Sequence, residues 1–197
     1  MTAVEGVEVN GRLAEISRVA CRIFRERGYH ATSMRTIAAA LGWQAAALYY
    51  YFPGKEDLLF RIMDEAVDVL TDRVLAAIDP DAAPADRLRQ AMGAHITAVA
   101  DHLDELSVFL NEMKALSPPR RERIQEKRDR YERIFRDILA DGIARGEIVA
   151  PDPRLAGLLI LAACNWLYSW YRPDGAHTPE EIATAFSDMI LSGLGRK

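Results

Sequence analysis

Apolar residues recur at intervals of three and four along almost the whole chain, and no stretch alternates β-branched and polar residues. These intervals place apolar side chains on one face of an α-helix, which can then pack against a core. Glycine and proline fall between the periodic segments, where they end helices. The pattern therefore predicts an all-α fold of about nine helices without strands.

Capping and helix-ending residues set the bounds of these segments. Asn10 is the predicted N-cap of the first helix, and Gly28 ends it. Ser33 caps the second helix, Gly42 separates it from the third, and the Phe52-Pro53-Gly54 corner ends the third. The predicted bounds are about 10–27, 34–41, 43–52, 55–78, 84–102, 104–116, 119–145, 153–172 and 178–194.

The second and third predicted helices are short and meet at a tight turn, which is the spacing of a helix-turn-helix unit. In such a unit the second helix enters the DNA major groove, and the alanines at 45–47 are small enough to let it approach the bases. Gln44 is the candidate base contact, because its amide can donate and accept toward adenine. The same short apolar helices would also suit an ordinary all-α core. Phosphate contacts are predicted for Thr32, Ser33, Arg35, Tyr49, Tyr50 and Lys55.

The charge of the chain is unevenly divided. The formal net charge is −4. Residues 10–55 nevertheless hold seven basic residues against two acidic ones, and the remainder holds 18 basic against 27 acidic. A phosphate backbone meets only the surface that docks on it, so the division favours a nucleic-acid-binding head on an acidic body.

The stretch GYHATSMRTIAAALGWQAAALYYYFPGKEDLL, residues 28–59, resembles the N-terminal DNA-binding domain of TetR-family transcriptional regulators. The resemblance implies a helix-turn-helix DNA-binding domain at 1–54 and a larger helical ligand-binding and dimerisation domain at 55–197. It is carried by Gly28-Tyr29, Thr32-Ser33, Ile37-Ala38, Leu41-Gly42, Leu48-Tyr49, Phe52-Pro53 and Lys55-Glu56. Taken with the helix-turn-helix spacing, the candidate DNA-binding residues are Thr32, Ser33, Arg35, Trp43, Gln44, Ala45, Ala47, Tyr49, Tyr50 and Lys55.

Five positions after the turn depart from the family pattern. The family often has a serine, a lysine and a glycine or threonine where this chain has Gln44 and the alanines at 45–47. The missing lysine at Ala45 removes one phosphate or base contact. Trp43 is larger than the usual small apolar residue, and it either packs into the core of the head or lies against the sugar-phosphate backbone.

The segment Leu155–Tyr171 is apolar almost all round, which predicts burial on two sides. It is shorter than the roughly 20 residues of a membrane span and contains Asn165 and Ser169, so we expect a buried helix and no membrane contact. One side can face its own domain and the other a second subunit. The resemblance implies a homodimer formed through the last two helices, which would present two heads to a palindromic operator.

Bulky apolar residues in the body are candidates for a ligand pocket, although each of them also suits a core position. The segments FLNEMKALSPP, RDRYERIFRDIL and NWLYSWYRPDG resemble actinobacterial TetR-family repressors that respond to acyl-CoA thioesters, including regulators of sterol-ring and fatty-acid degradation. That resemblance implies a CoA thioester as inducer, with its phosphates near arginines. A multidrug or aromatic-compound sensor is the alternative within the family. The candidate ligand residues are Phe109, Met113, Arg120, Trp166 and Trp170.

Other classes of protein find little support. No glycine-rich phosphate loop, HExxH or GxSxG motif is present, so we expect neither an enzyme nor a cofactor. The alternatives from other classes are an all-α enzyme with a scattered site and a helical protein-interaction module. His95 and His102 lie two helical turns apart, about 10 Å along the axis, which is too far for one metal ion. We expect both to be polar residues at the surface or in a pocket. Cys21 and Cys164 sit among apolar neighbours and suit a reducing cytoplasm. The first ten residues lack the basic and apolar regions of a secretory signal.

Overall fold

The described part of the chain is built from α-helices. The computed structural model describes residues 3–194, and within them it contains ten α-helices and no β-strand. The helices are α1 (Ala3–Arg27), α2 (Met34–Ala40), α3 (Ala45–Tyr51), α4 (Lys55–Ala77), α5 (Pro84–Asp101), α6 (Leu103–Asn111), α7 (Pro118–Ala144), α8 (Pro153–Asn165), α9 (Leu167–Trp170) and α10 (Pro179–Leu194). The predicted all-α class is confirmed. None of the helices in this range is both long and apolar enough to span a bilayer.

The predicted cap of α2, the glycines after α1 and α2 and the end of α3 are confirmed. Ser33 caps α2 by accepting a hydrogen bond from the Thr36 backbone N–H at 3.1 Å. Gly28 and Gly42 follow α1 and α2 with φ of 81° and 72°, a left-handed conformation that glycine adopts without strain. α3 ends at Tyr51, next to the Phe52-Pro53-Gly54 corner.

Three predicted bounds were wrong. α1 begins at Ala3, so Asn10 lies inside the helix instead of capping it. The helix predicted at 104–116 ends at Asn111 and is followed by a 3-10 turn at Met113–Ala115. The helix predicted at 153–172 is interrupted at Trp166, which separates α8 from α9.

The first compact unit contains the described residues up to Ala66 together with Asp104–Ile124. α1 and α2 pack together, and α2 packs on α3. The unit therefore joins the three N-terminal helices and the first half of α4 with α6 and the start of α7. Its core is formed by fully buried side chains, including Ile16, Phe24, Ile37, Leu48, Leu58 and Leu59.

The second compact unit contains Val67–Leu103 and the described residues from Gln125 onward. Within it, α5 packs against α8, α9 and α10. Its core includes Leu88, Met92, Ile96, Phe135, Leu139, Ile160 and Leu167. Cys164 in this unit and Cys21 in the first are both fully buried free thiols, so they pack as small apolar side chains.

Candidate functional site

The helix α3 exposes most of its surface to solvent. Leu48 is its only buried residue and anchors the helix to the core of the first unit. Around that anchor, Gln44 and Ala47 are exposed, and the aromatic side chains Tyr49 and Tyr50 are 50% and 85% exposed. This seven-residue helix is held by one leucine and exposes two tyrosines to solvent. Such exposed aromatic side chains indicate a surface that contacts another molecule.

The turn between α2 and α3 holds this exposed helix in place. Gly42 reverses the chain, and the Trp43 backbone N–H donates to the Ala38 carbonyl at 2.8 Å. Gln44 occupies the N-cap position of α3, where its side chain makes no capping hydrogen bond to the helix. The Gln44 amide therefore keeps its donors and acceptor for another partner.

Two further predicted DNA-binding residues lie on the surface beside α2. Arg35 is exposed on the first turn of that helix. Ser33 is exposed too, although its hydroxyl already caps α2 and lies 2.9 Å from Oγ1 of Thr36. A phosphate at this end of α2 would meet the Arg35 guanidinium first.

Thr32 and Lys55 have partners inside the protein. Thr32 is 2% exposed, and its hydroxyl donates to the Gly28 carbonyl at 2.9 Å. Nζ of Lys55 donates to the carbonyl oxygens of Tyr29 and Thr32 at 2.6 and 2.7 Å, and it lies 4.1 Å from the centre of the Tyr29 ring. Burial lowers the pKa of the Lys55 ammonium. These contacts argue against the predicted phosphate roles, and we leave Thr32 and Lys55 out of the interface.

The sequence contains a signal for the role of Lys55. A cation in the first turn of a helix opposes the helix dipole, so it needs acceptors outside that helix. Here the acceptors are two carbonyls of the loop before α2. The ammonium thus ties the start of α4 to the loop that precedes the helix-turn-helix unit.

Trp43 lies at the edge of the exposed surface of α3. Its indole is partly exposed and its ring centre lies 5.8 Å from that of Tyr51. The Cζ atom of Arg12, on α1, lies 5.7 Å from the centre of the indole ring. Trp43 therefore does not pack into the core of the head. It lies at the surface, where the alternative placement against a sugar-phosphate backbone stays a prediction.

The segment 104–124 is bonded to the N-terminal helices within the first unit, a feature that the sequence did not reveal. The Tyr29 backbone N–H donates to Oε1 of Glu112 at 3.3 Å, and the guanidinium of Arg25 pairs with Asp104. At the start of α4, Oε1 of Glu56 accepts from the Ser117 backbone N–H at 2.8 Å. Hydrogen bonding to Ser117 is the main cause that lowers the pKa of Glu56.

Arg120 adds to the same set of contacts. Its guanidinium pairs with Asp57, lies 3.6 Å from Oε1 of Glu56 and packs 5.6 Å from the centre of the Phe60 ring. The predicted phosphate-binding arginine is therefore occupied by carboxylates of α4. Two neighbouring ligand candidates belong to the same unit: Phe109 is buried, and Met113 is partly exposed in the 3-10 turn.

Trp166 and Trp170 belong to the second unit and are 61% and 44% exposed. They continue a stripe of exposed apolar side chains along α8, which includes Leu155, Leu158 and Leu159. Exposed Met189 adds to the apolar surface on α10. The opposite side of α8 is buried at Ile160 and Cys164, so the helix that is apolar all round buries one side within its unit and exposes the other. We refer to residues 155, 158, 159, 166 and 170 as the α8–α9 stripe.

A buried polar pair lies in the core of the second unit. Nδ1 of His95 and the Tyr131 hydroxyl are 2.5 Å apart, and both side chains are buried. Burial lowers the pKa of His95 to about 4. His95 was expected at the surface or in a pocket, and it is instead a neutral core residue with a bonded partner.

The helix-turn-helix geometry of α2 and α3 coincides with the region matched by a family model. A model described as "Bacterial regulatory proteins, tetR family" matches residues 16–62. A second model, "Tetracyclin repressor-like, C-terminal domain", matches residues 81–194, more than half of the chain. The chain belongs to the TetR family of bacterial regulatory proteins.

Curated proteins and solved structures resemble this chain over nearly its whole length. The HTH-type transcriptional repressor KstR2 of Mycobacterium tuberculosis is 28% identical over 193 residues, which cover 96% of each chain. The crystal structure of PfmR, a TetR-family regulator of Thermus thermophilus, has a TM-score of 0.85 at 38% identity and covers 92% of this chain and 99% of its own. The structure of AibR in complex with isovaleryl coenzyme A and operator DNA has a TM-score of 0.83 at 32% identity, covering 90% and 97%.

Proposed function

We propose that this TetR-family protein is a dimeric transcriptional repressor that binds a palindromic operator and is released by a small-molecule ligand, an acyl-CoA thioester with an apolar acyl part. The observation that carries the proposal is the exposure of α3, which is anchored by Leu48 alone and presents Gln44, Tyr49 and Tyr50 to solvent. Family membership supports a DNA-binding function for this surface. The site of action is then the cytoplasm, and the protein is a regulator and not an enzyme.

The contacts to DNA follow from the placement of the side chains. Gln44 reads a base edge, since its amide makes no capping bond to α3. Ala45 and Ala47 let the helix approach the base pairs. Tyr49 and Tyr50 donate to phosphates, which fix the register of the head on the duplex without reading its sequence. Arg35 and Ser33 do the same at the start of α2.

The α8–α9 stripe supports dimer formation. Leucine and tryptophan side chains that stay exposed on one helix face form an apolar surface of the kind found at subunit interfaces. A two-fold dimer would use the same surface on both subunits and place two heads on a palindromic site. In this proposal Trp166 and Trp170 contribute to the interface at least as much as to a ligand pocket.

The choice of ligand class rests on relatives. The structure of AibR was determined with isovaleryl coenzyme A and operator DNA. AibR is 32% identical to this chain, and the match covers 90% of this chain. KstR2 is a second relative of almost equal length. We propose Phe109 and Met113 as contacts for the acyl part and Arg120 as a contact for a phosphate.

Arg120 also suggests how the ligand acts on the head. In the first unit its guanidinium is bonded to carboxylates at the start of α4, the helix that follows the helix-turn-helix unit. A ligand phosphate would compete with Asp57 for the guanidinium and free the start of α4 to move. Ligand and operator would then favour different states of α4, and each would weaken the binding of the other by the same factor.

A thermal-shift screen tests the ligand class. The panel contains isovaleryl-CoA, longer acyl-CoAs, free CoA, the matching free acids and several aromatic drugs. A ligand that binds only the folded state raises the melting temperature with concentration. A rise with acyl-CoAs but with neither CoA nor acids alone supports the proposal. A rise with aromatic drugs only would replace it with the multidrug-sensor function.

A further inference from the structure

A depression opens on the surface beside α3. It has a volume of about 480 Å³ and is lined by Arg12, Trp43, Gln44, Ala47 and Tyr51. Arg12 comes from α1, and the other four come from α3 and the turn before it. The depression therefore adds a face of α1 to the surface that Gln44 and Ala47 already form. We refer to it as the Arg12 groove.

The Arg12 groove combines one cation with two aromatic rings. Of its five lining residues, Arg12 alone is charged. The guanidinium lies 5.7 Å from the centre of the Trp43 ring, within the range of a cation–π contact, and Trp43 in turn lies 5.8 Å from Tyr51. The order across the groove is guanidinium, indole, phenol. The guanidinium is planar, and a contact with an aromatic ring restricts its orientation while its N–H donors stay available for bidentate contact with an oxyanion.

The carboxylate partner of Arg12 holds it only weakly. Nη1 of Arg12 lies 3.7 Å from Oε2 of Glu15, and both side chains are close to half exposed. Exposed ion pairs at this separation are weak and screened by salt. A phosphate can therefore replace Glu15 as the partner of Arg12 without leaving a buried charge unpaired.

We propose that the Arg12 groove receives one sugar-phosphate unit of the operator backbone, with Arg12 on the phosphate and Trp43 packed against the deoxyribose. This rests on the proposed function and adds a residue outside the helix-turn-helix unit. It also gives Trp43 a task in the complex that a small apolar side chain could not perform. The contact fixes the position of α3 in the major groove of the DNA and carries no sequence information.

The experiment measures binding of a labelled operator duplex by anisotropy across a range of KCl concentrations. Each phosphate contact contributes about 0.9 to the slope of log K against log salt in B-DNA. Arg12→Gln should lower that slope by about 0.9 per subunit contact and weaken all sequences alike, whereas Arg12→Lys should retain most of the slope. Trp43→Leu should weaken binding while leaving the slope unchanged. Arg130→Gln, an exposed arginine on α7, is the matched control and should change neither.

Glu15→Gln separates a phosphate contact from a structural ion pair. If Arg12 and Glu15 form only a structural ion pair with each other, Arg12→Gln and Glu15→Gln both lower the melting temperature, and neither improves DNA binding. If Arg12 contacts phosphate, Glu15→Gln frees it and tightens binding, opposite in sign to Arg12→Gln. Wild-type binding with an unchanged slope in Arg12→Gln overturns the groove proposal alone. A wild-type chain that binds no duplex specifically overturns the proposed function and this inference with it.

Discussion

Oε1 of Glu56 accepts a hydrogen bond from the Ser117 backbone N–H at 2.8 Å, which joins the start of α4 to the connection between α6 and α7. Arg120 reaches the same carboxylate oxygen at 3.6 Å and pairs with the neighbouring Asp57. The helix that follows the helix-turn-helix unit is therefore bonded, inside one unit, to residues 61 and 63 positions away. This connection is where we expect ligand and operator binding to be coupled.

Glu56→Ala should weaken that coupling. Allosteric factors usually lie between about 5 and 150, and loss of the Ser117 bond should reduce the factor at least several-fold while ligand and operator each still bind. The measurement is operator affinity with and without saturating isovaleryl-CoA. Glu65→Ala is the control, because Glu65 pairs with Arg61 on the same helix. An undiminished ligand effect in Glu56→Ala would show that coupling takes another route.

Lys55→Gln should reduce stability and leave the salt dependence of DNA binding unchanged. The substitution removes the ammonium that serves the Tyr29 and Thr32 carbonyls, and partly buried acceptors left without a donor cost about 1–3 kcal/mol. Arg35→Gln should have the opposite effects, because Arg35 is exposed. Its free energy of unfolding should stay unchanged, and the slope of log K against log salt should fall by about 0.9. Chemical unfolding and anisotropy titrations check the pair. A lower slope in Lys55→Gln would restore Lys55 to the interface.

His95 should make folding stability depend on pH below neutrality. Its pKa is about 4 in the folded chain against 6.5 as the unperturbed value, so the unfolded state binds more protons between these limits. The stabilisation from keeping His95 neutral is complete above pH 6.5 and is lost as the pH falls toward 4. Between pH 7 and pH 5 the loss from this group is about 2 kcal/mol.

Urea unfolding at the two pH values isolates that contribution. His95→Gln should be less stable than wild type at pH 7 but should lose about 2 kcal/mol less on acidification. Tyr131→Phe keeps the histidine and should keep the pH step, while it is destabilised because Nδ1 of His95 loses its hydroxyl partner. Equal pH steps in wild type and His95→Gln would contradict the neutral buried histidine.

Leu159→Glu should separate the dimer. Leu159 is 63% exposed within its own chain and lies in the α8–α9 stripe, so a carboxylate there would be buried without a partner in an interface formed by this stripe. Sedimentation equilibrium should show a dimer for wild type and a monomer for the variant. Leu75→Glu alters an exposed leucine on α4 outside the stripe and should remain dimeric. A dimeric Leu159→Glu would place the interface elsewhere.

Much of the fold follows from local signals in the sequence. The positive φ of Gly42 and the side-chain cap of Ser33 depend on residues within a few positions of each other, so both were predictable. The start of α4 at Lys55 was predictable for the same reason. In the aromatic stretch before it, Tyr50 is exposed and Phe52 is buried, which local sequence also indicates. The breaks at Glu112 and Trp166 carry no glycine or proline, so no local signal announced them.

The candidate site depends partly on distant partners, which periodicity does not reveal. His95 is neutral because it is buried in the core, where its hydrogen-bond partner is Tyr131, 36 positions away. Lys55 is occupied by carbonyls 23 and 26 positions before it. Arg12 approaches Trp43 only because the fold brings α1 close to the turn before α3. A single sequence identifies the residue types suited to DNA contact but does not show which of them are already bonded inside the protein.

The most direct test of the central claim is the binding of the purified protein to DNA flanking its own gene, measured by anisotropy across salt concentrations with and without isovaleryl-CoA. We expect specific binding of one duplex, a steep loss of affinity with rising salt through counterion release, and a further loss on adding the thioester. Gln44→Ala should reduce the preference for that duplex over random DNA. Absence of specific binding at every salt concentration would contradict the account, whatever ligand is added.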